Sequence, residues 1–151
     1  MKNYTISSDT LAVIPINKKK SKIYETDNVI IIEKSAKKII EENCKYYGSS
    51  YEGRRKGTVE LIGITHKSPI IIEDSNDIIF FPTCSPRIKE CGWISLNNVE
   101  NYKAFNKNSL IIFNNNLKLE IPVSNKIINN QILKATRLES VMNKRRKKIQ
   151  N

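Results

Sequence analysis

The isoleucines of this chain come in short runs set between turn residues, and that pattern restricts the fold more than any other feature. Short apolar, mostly β-branched runs occur at Leu11–Ile16, Val29–Ile32, Ile70–Ile72, Ile78–Phe81 and Leu110–Phe113. Each falls far short of the ~20 residues that span a bilayer, and each has the composition of a buried strand. Asp74-Ser75-Asn76 predicts a hairpin of Pro69–Glu73 with Asp77–Phe81. Thr26–Asn28 predicts another between Lys22–Glu25 and Asn28–Glu33. Asn114–Asn116 predicts a third, returning from Leu110–Phe113 as Leu117–Val123. Gly92–Leu96 and Val99–Phe105 read as further strands. Pro15 is expected to put Leu11–Ile16 at a sheet edge, because proline has no N–H to give a ladder.

Three segments carry helical periodicity instead. Ser35 is a candidate N-cap for a helix that places Ala36, Ile39, Ile40 and Cys44 on one face and Lys37, Lys38, Glu41 and Glu42 on the other, ending near Gly48. Ser49 or Ser50 can cap a second, shorter helix running toward Leu61, weakened by Gly53 and Gly57. Ser124 caps a long last helix whose apolar stripe is Ile128, Ile132, Ala135, Leu138 and Met142. The expected class is α+β: a mostly antiparallel β-sheet with two or three helices, including a long amphipathic C-terminal helix. At 151 residues the chain suits one domain with a tail, divided here as residues 1–143 and a basic tail at 144–151.

The N-terminal MKNYTISSDT lacks the apolar stretch of a signal peptide, so a cytoplasmic protein is expected. Cys44, Cys84 and Cys91 lack C-x-x-C spacing and His66 is the single histidine, so no metal and no cofactor is expected and the cysteines read as buried free thiols. The formal net charge is +11, from 26 basic and 15 acidic residues, which favours a polyanionic partner. Lysine is the weaker part of that evidence, because its abundance accompanies the isoleucine and asparagine of an AT-rich coding bias. Arginine is scarce: six occur, and four of them form the adjacent pairs Arg54–Arg55 and Arg145–Arg146. Residues 34–67 carry eight bases and four acids, residues 68–100 two and five, and residues 134–151 seven and one. Two basic zones therefore flank an acidic one.

The stretch Cys44–Thr58, CKYYGSSYEGRRKGT, concentrates the candidate chemistry. Gly48 and Gly53 have the spacing of a phosphate-binding loop, but the Lys and Ser/Thr that such a loop needs next are missing. Ser50 is not in a nucleophile elbow, since Gly53 follows it by three residues rather than two. His66, in Thr65-His66-Lys67-Ser68-Pro69, has no neighbouring carboxylate to make it a catalytic base. Glu73, Asp74 and Asp77 read as turn residues rather than metal ligands. No enzyme is expected. What is left is a basic and aromatic block: Lys45, Arg54, Arg55 and Lys56 neutralise phosphates, while small hydroxyls and glycines let backbone N–H groups approach them. A solvated loop beside two core tyrosines, Tyr46 and Tyr47, stands as the alternative. The Lys144–Lys148 run suits a phosphate-contacting arm, a frayed helix end or a solubility tail.

These residues resemble the competence transcription factor (ComK) family. The resemblance lies in Cys44-Lys45-Tyr46-Tyr47-Gly48-Ser49-Ser50-Tyr51-x-Gly53-Arg54-x-x-Gly57-Thr58, then Thr65-His66-Lys67-x-Pro69-Ile70, Ile79-Phe80-Phe81-Pro82-Thr83 and Cys91-Gly92-Trp93-Ile94. The resemblance implies a transcriptional activator that drives DNA-uptake genes and binds paired boxes of double-stranded A/T-rich DNA through the minor groove. It also implies a homodimer or higher homo-oligomer, engagement of RNA polymerase, a nucleoid-associated cytoplasmic location, and an adaptor of a AAA+ protease. Longer members continue past the last helix whereas this sequence stops at Asn151, so a C-terminal segment serving that adaptor is expected to be missing.

Narrow, electronegative A-tract grooves suit arginine, so Arg54 and Arg55 are the first candidates for DNA contact. Lys56, Ser49 and Lys67 serve as positioning groups. Ser50, Tyr51, Gly53 and His66 complete the candidate DNA-binding set, and Gly48, Gly53 and Gly57 would allow close backbone approach. Trp93, Cys91 and Phe81 are assigned to the core or a subunit interface. The rival function is an RNA- or single-strand-binding regulatory module that stacks bases on the tyrosines. A third is an interaction domain whose charge is coding bias alone.

Overall fold

Successive residues of the apolar runs face opposite ways, and both sides are buried. The computed structural model describes residues 3–87 and 89–150, the last by its backbone only; Met1, Lys2, Ile88 and Asn151 lie outside the described residues. The first half comprises β1 (Thr10–Asn17), β2 (Lys20–Glu25), β3 (Val29–Ile32), α1 (Ala36–Tyr46), α2 (Tyr51–Ile62) and β4 (Ile70–Glu73). Then follow β5 (Ile78–Pro82), β6 (Trp93–Ser95), β7 (Val99–Phe105), β8 (Asn108–Phe113), β9 (Lys118–Ile121) and α3 (Asn125–Gln150). Six strands form one sheet in the order β3-β2-β1-β6-β5-β4, and β7-β8-β9 form a second. Every pairing is antiparallel, as the hairpin signals predict for an α+β chain.

The two-residue period of a strand divides the core in two. Val13, Ile23, Ile70, Ile72, Ile78, Phe80 and Trp93 face Ala36, Ile39, Ile40 and Cys44 of α1. Ala12, Ile71, Ile79, Phe81 and Ile94 face Ile111 and Phe113 of β8, Ile121 of β9, and Ile128, Ala135 and Leu138 of α3. The six-stranded sheet is thus the middle layer, which explains why Ile70–Ile72 and Ile78–Phe81 are apolar throughout rather than alternating.

Pro15 departs from expectation. The strand that contains it is central, between β2 and β6. Pairing with β6 covers only Ala12 and Val13, so at Pro15 β1 is paired on one side only, with Ser21 of β2 and just before a register irregularity, where a strand tolerates proline. The last helix is longer than its apolar stripe and continues through Lys144–Lys148.

The helix caps follow the sequence. Ser35 Oγ accepts from Lys38 N, and Ser50, rather than Ser49, accepts from Gly53 N. A buried asparagine fixes α1 to the chain's N-terminal segment: Asn43 Oδ1 accepts from Ile6 N (2.7 Å), and its Nδ2 donates to the Tyr4 and Ile39 carbonyls at 3.0 and 2.9 Å. Replacing Asn43 with Leu strands a buried N–H and a carbonyl. It should cost about 2–3 kcal/mol, read as a lower urea midpoint with unchanged slope.

Candidate nucleic-acid interface

Two turns bring the basic block into position. At the end of α1, Gly48 takes φ +90°, and Ser49 N donates to Cys44 O at 2.9 Å, turning the chain into α2. Gly53 is small for a packing reason: a Cβ there would lie 3.0 Å from the hydroxyl oxygens of both Ser49 and Ser50, crowding the cap. At the other end of α2, Gly63 is left-handed, with φ +71°, and begins the segment 63–69. That segment is held by Thr58 Oγ1 donating to Pro69 O (2.7 Å) and Ser68 Oγ donating to Ile64 O (3.1 Å). Lys67 within it has φ +49°, a conformation unusual for a side-chain-bearing residue.

Between α1, the start of α2, this segment and the Ser85–Arg87 loop lies a groove of about 920 Å³. Lys37, Lys45, Arg55, Lys67 and Arg87 line it with His66, against the two carboxylates of Glu41 and Glu52. Ser50 and Tyr51 form the part of its wall at the N-terminus of α2, where the helix dipole adds positive potential. Five of the sequence-derived candidates therefore meet in one place: Ser50, Tyr51, Arg55, His66 and Lys67.

The others do not line the groove. Arg54 and Arg55 are consecutive on a helix and project about 100° apart. Arg54 is half-buried, its guanidinium donating weakly to Tyr47 O at 3.4 Å, with a buried Nε that has no partner. Arg55 reaches the groove and is held by Glu52, with a shortest contact of 2.6 Å. That hydrogen bond lowers the Glu52 carboxyl pKa from its ordinary value. Lys56 is exposed, while Ser49 and Gly53 belong to the cap. Tyr51 stands edge-on to Trp93 with ring centroids 6.1 Å apart, and Lys37 Nζ lies 5.3 Å from the Tyr51 ring centre. Tyr47 is anchored by its hydroxyl donating to Ile6 O (2.6 Å), whereas Tyr46 is 69% exposed.

Sequence reasoning placed Lys45 in the basic block but missed Lys37 and Arg87 as groove residues, and Gln131 behind the groove. Arg87 carried a signal, as one of six arginines and placed just after Pro86. In the C-terminal run, Arg146 pairs with Asp77 and donates to Asp74 O (2.7 Å), so one member of the second arginine pair is also engaged within the chain. Glu73 organises the β4–β5 turn by accepting from Ser75 N and Asn76 N, both at 2.9 Å. Among the described residues no three His, Cys, Asp or Glu side chains gather as a metal site. No helix among them is long and apolar enough to cross a membrane.

The cysteine expectation needs correction. Cys44 is buried and free, but Cys84 and Cys91 form a disulfide with Cα atoms 5.5 Å apart. The residues flanking the bridge meet, with Thr83 N donating to Gly92 O (2.9 Å) and Gly92 N to Thr83 Oγ1 (3.0 Å). Such a closure is invisible to spacing rules built on C-x-x-C. The bridge shuts the loop that carries Arg87.

A groove lined by five cations thus opens on the α1 side of a two-faced antiparallel sheet. The family model for ComK protein matches residues 1–147, and the chain belongs to that family. It is 35% identical over 144 residues to the competence transcription factor of Bacillus subtilis (strain 168), covering 93% of this chain and 75% of that protein. The chain is accordingly a ComK-like transcription regulator and not an enzyme. No solved structure matches.

Burial pushes the Cys44 thiol up to about 11, so at pH 8 it stays in the unreactive protonated form. A thiol-specific chromophore should therefore count no thiol in the folded chain at pH 8 and one in denaturant. After reduction it should count three. Three reactive thiols in denatured, unreduced protein would show that the bridge does not form.

Proposed function

We propose that this chain is a transcriptional activator that binds paired A/T-rich boxes in double-stranded DNA and drives DNA-uptake genes. The observation that carries the reading is the convergence of five cations from four separate segments on one groove at the N-terminus of α2. Polyphosphate affinity arises from such convergence through counterion release. In this reading the lysines take the phosphates and an arginine, Arg55 or Arg87, enters the narrow minor groove of an A-tract. Arg54, Lys56 and Ser49 contribute by supporting or extending that surface. The identity to a competence transcription factor supports the competence role. A homodimer or higher oligomer suits paired boxes, and RNA polymerase is the partner an activator engages. The reading also includes a cytoplasmic, nucleoid-associated location and, as a family property, an adaptor of a AAA+ protease. Residues 1–143 would form the DNA-binding domain, and the basic tail at 144–151 would add affinity without sequence preference. The single-strand or RNA reading is weakened at Tyr51, whose ring is half-buried, packs T-shaped with Trp93 and carries Lys37 Nζ over one face.

Fluorescence anisotropy with an A/T-box duplex, a G·C duplex and single strands, across salt concentrations, tests the proposal. The A/T duplex should bind tightest; equal affinity for all three overturns it. The double variant Lys67→Ala/Arg87→Ala leaves two phosphates without their cations. It should flatten the slope of log K against log salt by about 1.8, at about 0.9 for each such phosphate. An unchanged slope would remove the groove as the site.

Glu52 competes with phosphate for Arg55. Glu52→Gln should therefore raise duplex affinity several-fold and steepen the same slope by about 0.9, measured in the same titration. Lower affinity would show that Arg55 needs its partner in order to be positioned.

A further inference from the structure

We propose that Gln131 is a positioning residue for the groove, a single carboxamide in α3 that ties together the two segments carrying Lys67 and Arg87. Gln131 is buried, 1% exposed, in the middle of the helix's apolar face. Its Nε2 donates to Lys67 O (2.9 Å) and to Pro82 O (2.8 Å). Its Oε1 accepts from Lys134 Nζ (2.9 Å), which itself donates to His66 O (3.0 Å). Both amide hydrogens and one oxygen lone pair are thus committed.

The placement of these carbonyls gives the bonds their meaning. Lys67 and His66 are groove residues, and Lys67 has a left-handed backbone that local preference does not favour. Pro82 ends β5 and is the last residue before the Thr83–Gly92 closure from which Arg87 projects. Each segment is closed by its own bonds, through Thr58 and Ser68 for one and through Thr83 and the Cys84–Cys91 bridge for the other. Gln131 donates to both. A buried polar network of this kind specifies one arrangement when every member is satisfied. Lys134 completes it at the surface, where burial and the Lys67 charge lower its pKa. The role assigned to Gln131 is to fix the separation of two cations on which a polyanion is read, with no contact to that polyanion itself.

The inference rests on the groove reading, and the experiment separates the two. Gln131→Met keeps the buried volume and removes both donors. It should flatten the duplex salt slope by about 1–2, while adding little to the slope of the Lys67→Ala/Arg87→Ala variant, because the effects share one route. Amide hydrogen exchange on the free protein should quicken at 65–68 and between 83 and 87, with the β1–β2 and β2–β3 ladders unchanged.

If Lys67→Ala/Arg87→Ala flattens the slope and Gln131→Met does not, the positioning role is wrong while the groove stands. If the double variant leaves the slope unchanged, the groove reading fails, and exchange alone then decides whether Gln131 holds the two segments. Unchanged exchange in both segments overturns it. Should Gln131→Met fail to fold, Lys134→Met removes only the outer strut. It should quicken exchange at 65–68 without shifting the melting temperature, and unchanged exchange there overturns the inference.

Discussion

All five residues of β5, Ile78 to Pro82, are buried, Ile78 and Phe80 against the α1 side and Ile79 and Phe81 against α3 and the second sheet. A strand with no wet face needs a layer on each side of it, and the rest of the molecule is arranged to supply those layers. Trp93 and Ile94 on β6 repeat the division one strand over. Burying side chains of this size is worth roughly 1.5–3 kcal/mol each, far more than any exposed ion pair in the chain. The groove is therefore a by-product of core packing. Its cations sit on α1, on the start of α2 and on the connections into β4 and out of β5, all elements whose positions the middle sheet sets.

That dependence explains why a polar residue stands in the α3 stripe. The segment before β4 and the end of β5 each present a carbonyl, Lys67 O and Pro82 O, to Gln131 of α3. An apolar residue at position 131 would leave one buried and one half-buried carbonyl without this donor, a penalty of about 1–3 kcal/mol for the buried one. Gln131 meets both from one side chain, which the shorter asparagine or serine could not do across the same span. The interaction lies between the core, where shape decides, and the groove, where charge decides.

Much of the fold was legible in the sequence because its signals are local. The turn at Asp74-Ser75-Asn76, the caps at Ser35, Ser50 and Ser124, and the stripe through Ile128, Ala135 and Leu138 all act over a few residues. Pro15 misled because a central strand can lack a neighbour over part of its length, and only the short reach of β6 reveals that. The Cys84–Cys91 bridge and the convergence of Lys37 with Arg87 depend on how distant segments fold back, which no local pattern encodes. Gln131 was legible in principle. The buried positions Ile128, Gln131, Ala135 and Leu138 are spaced 3, 4 and 3, so a glutamine occupies a core site, and tracing the stripe through Ile132 stepped past it.

The arginine pairs show how charge should be weighed. Adjacent arginines in sequence suggest a doubled contact, yet on a helix neighbours point about 100° apart and meet different surroundings. In the first pair Arg54 turns toward the α1 junction and Arg55 toward the groove under the hold of Glu52. In the second, Arg146 is tied to Asp77 while Arg145 is exposed. The positive field of the groove is built from five cations on four segments, and their spacing is a property of the packing. What distinguishes the groove is that its cations are gathered in one place despite mutual repulsion: α1 and α2 carry three of them, and the network of Gln131 and Lys134 bonds the segment of Lys67 and the end of β5 that leads to Arg87.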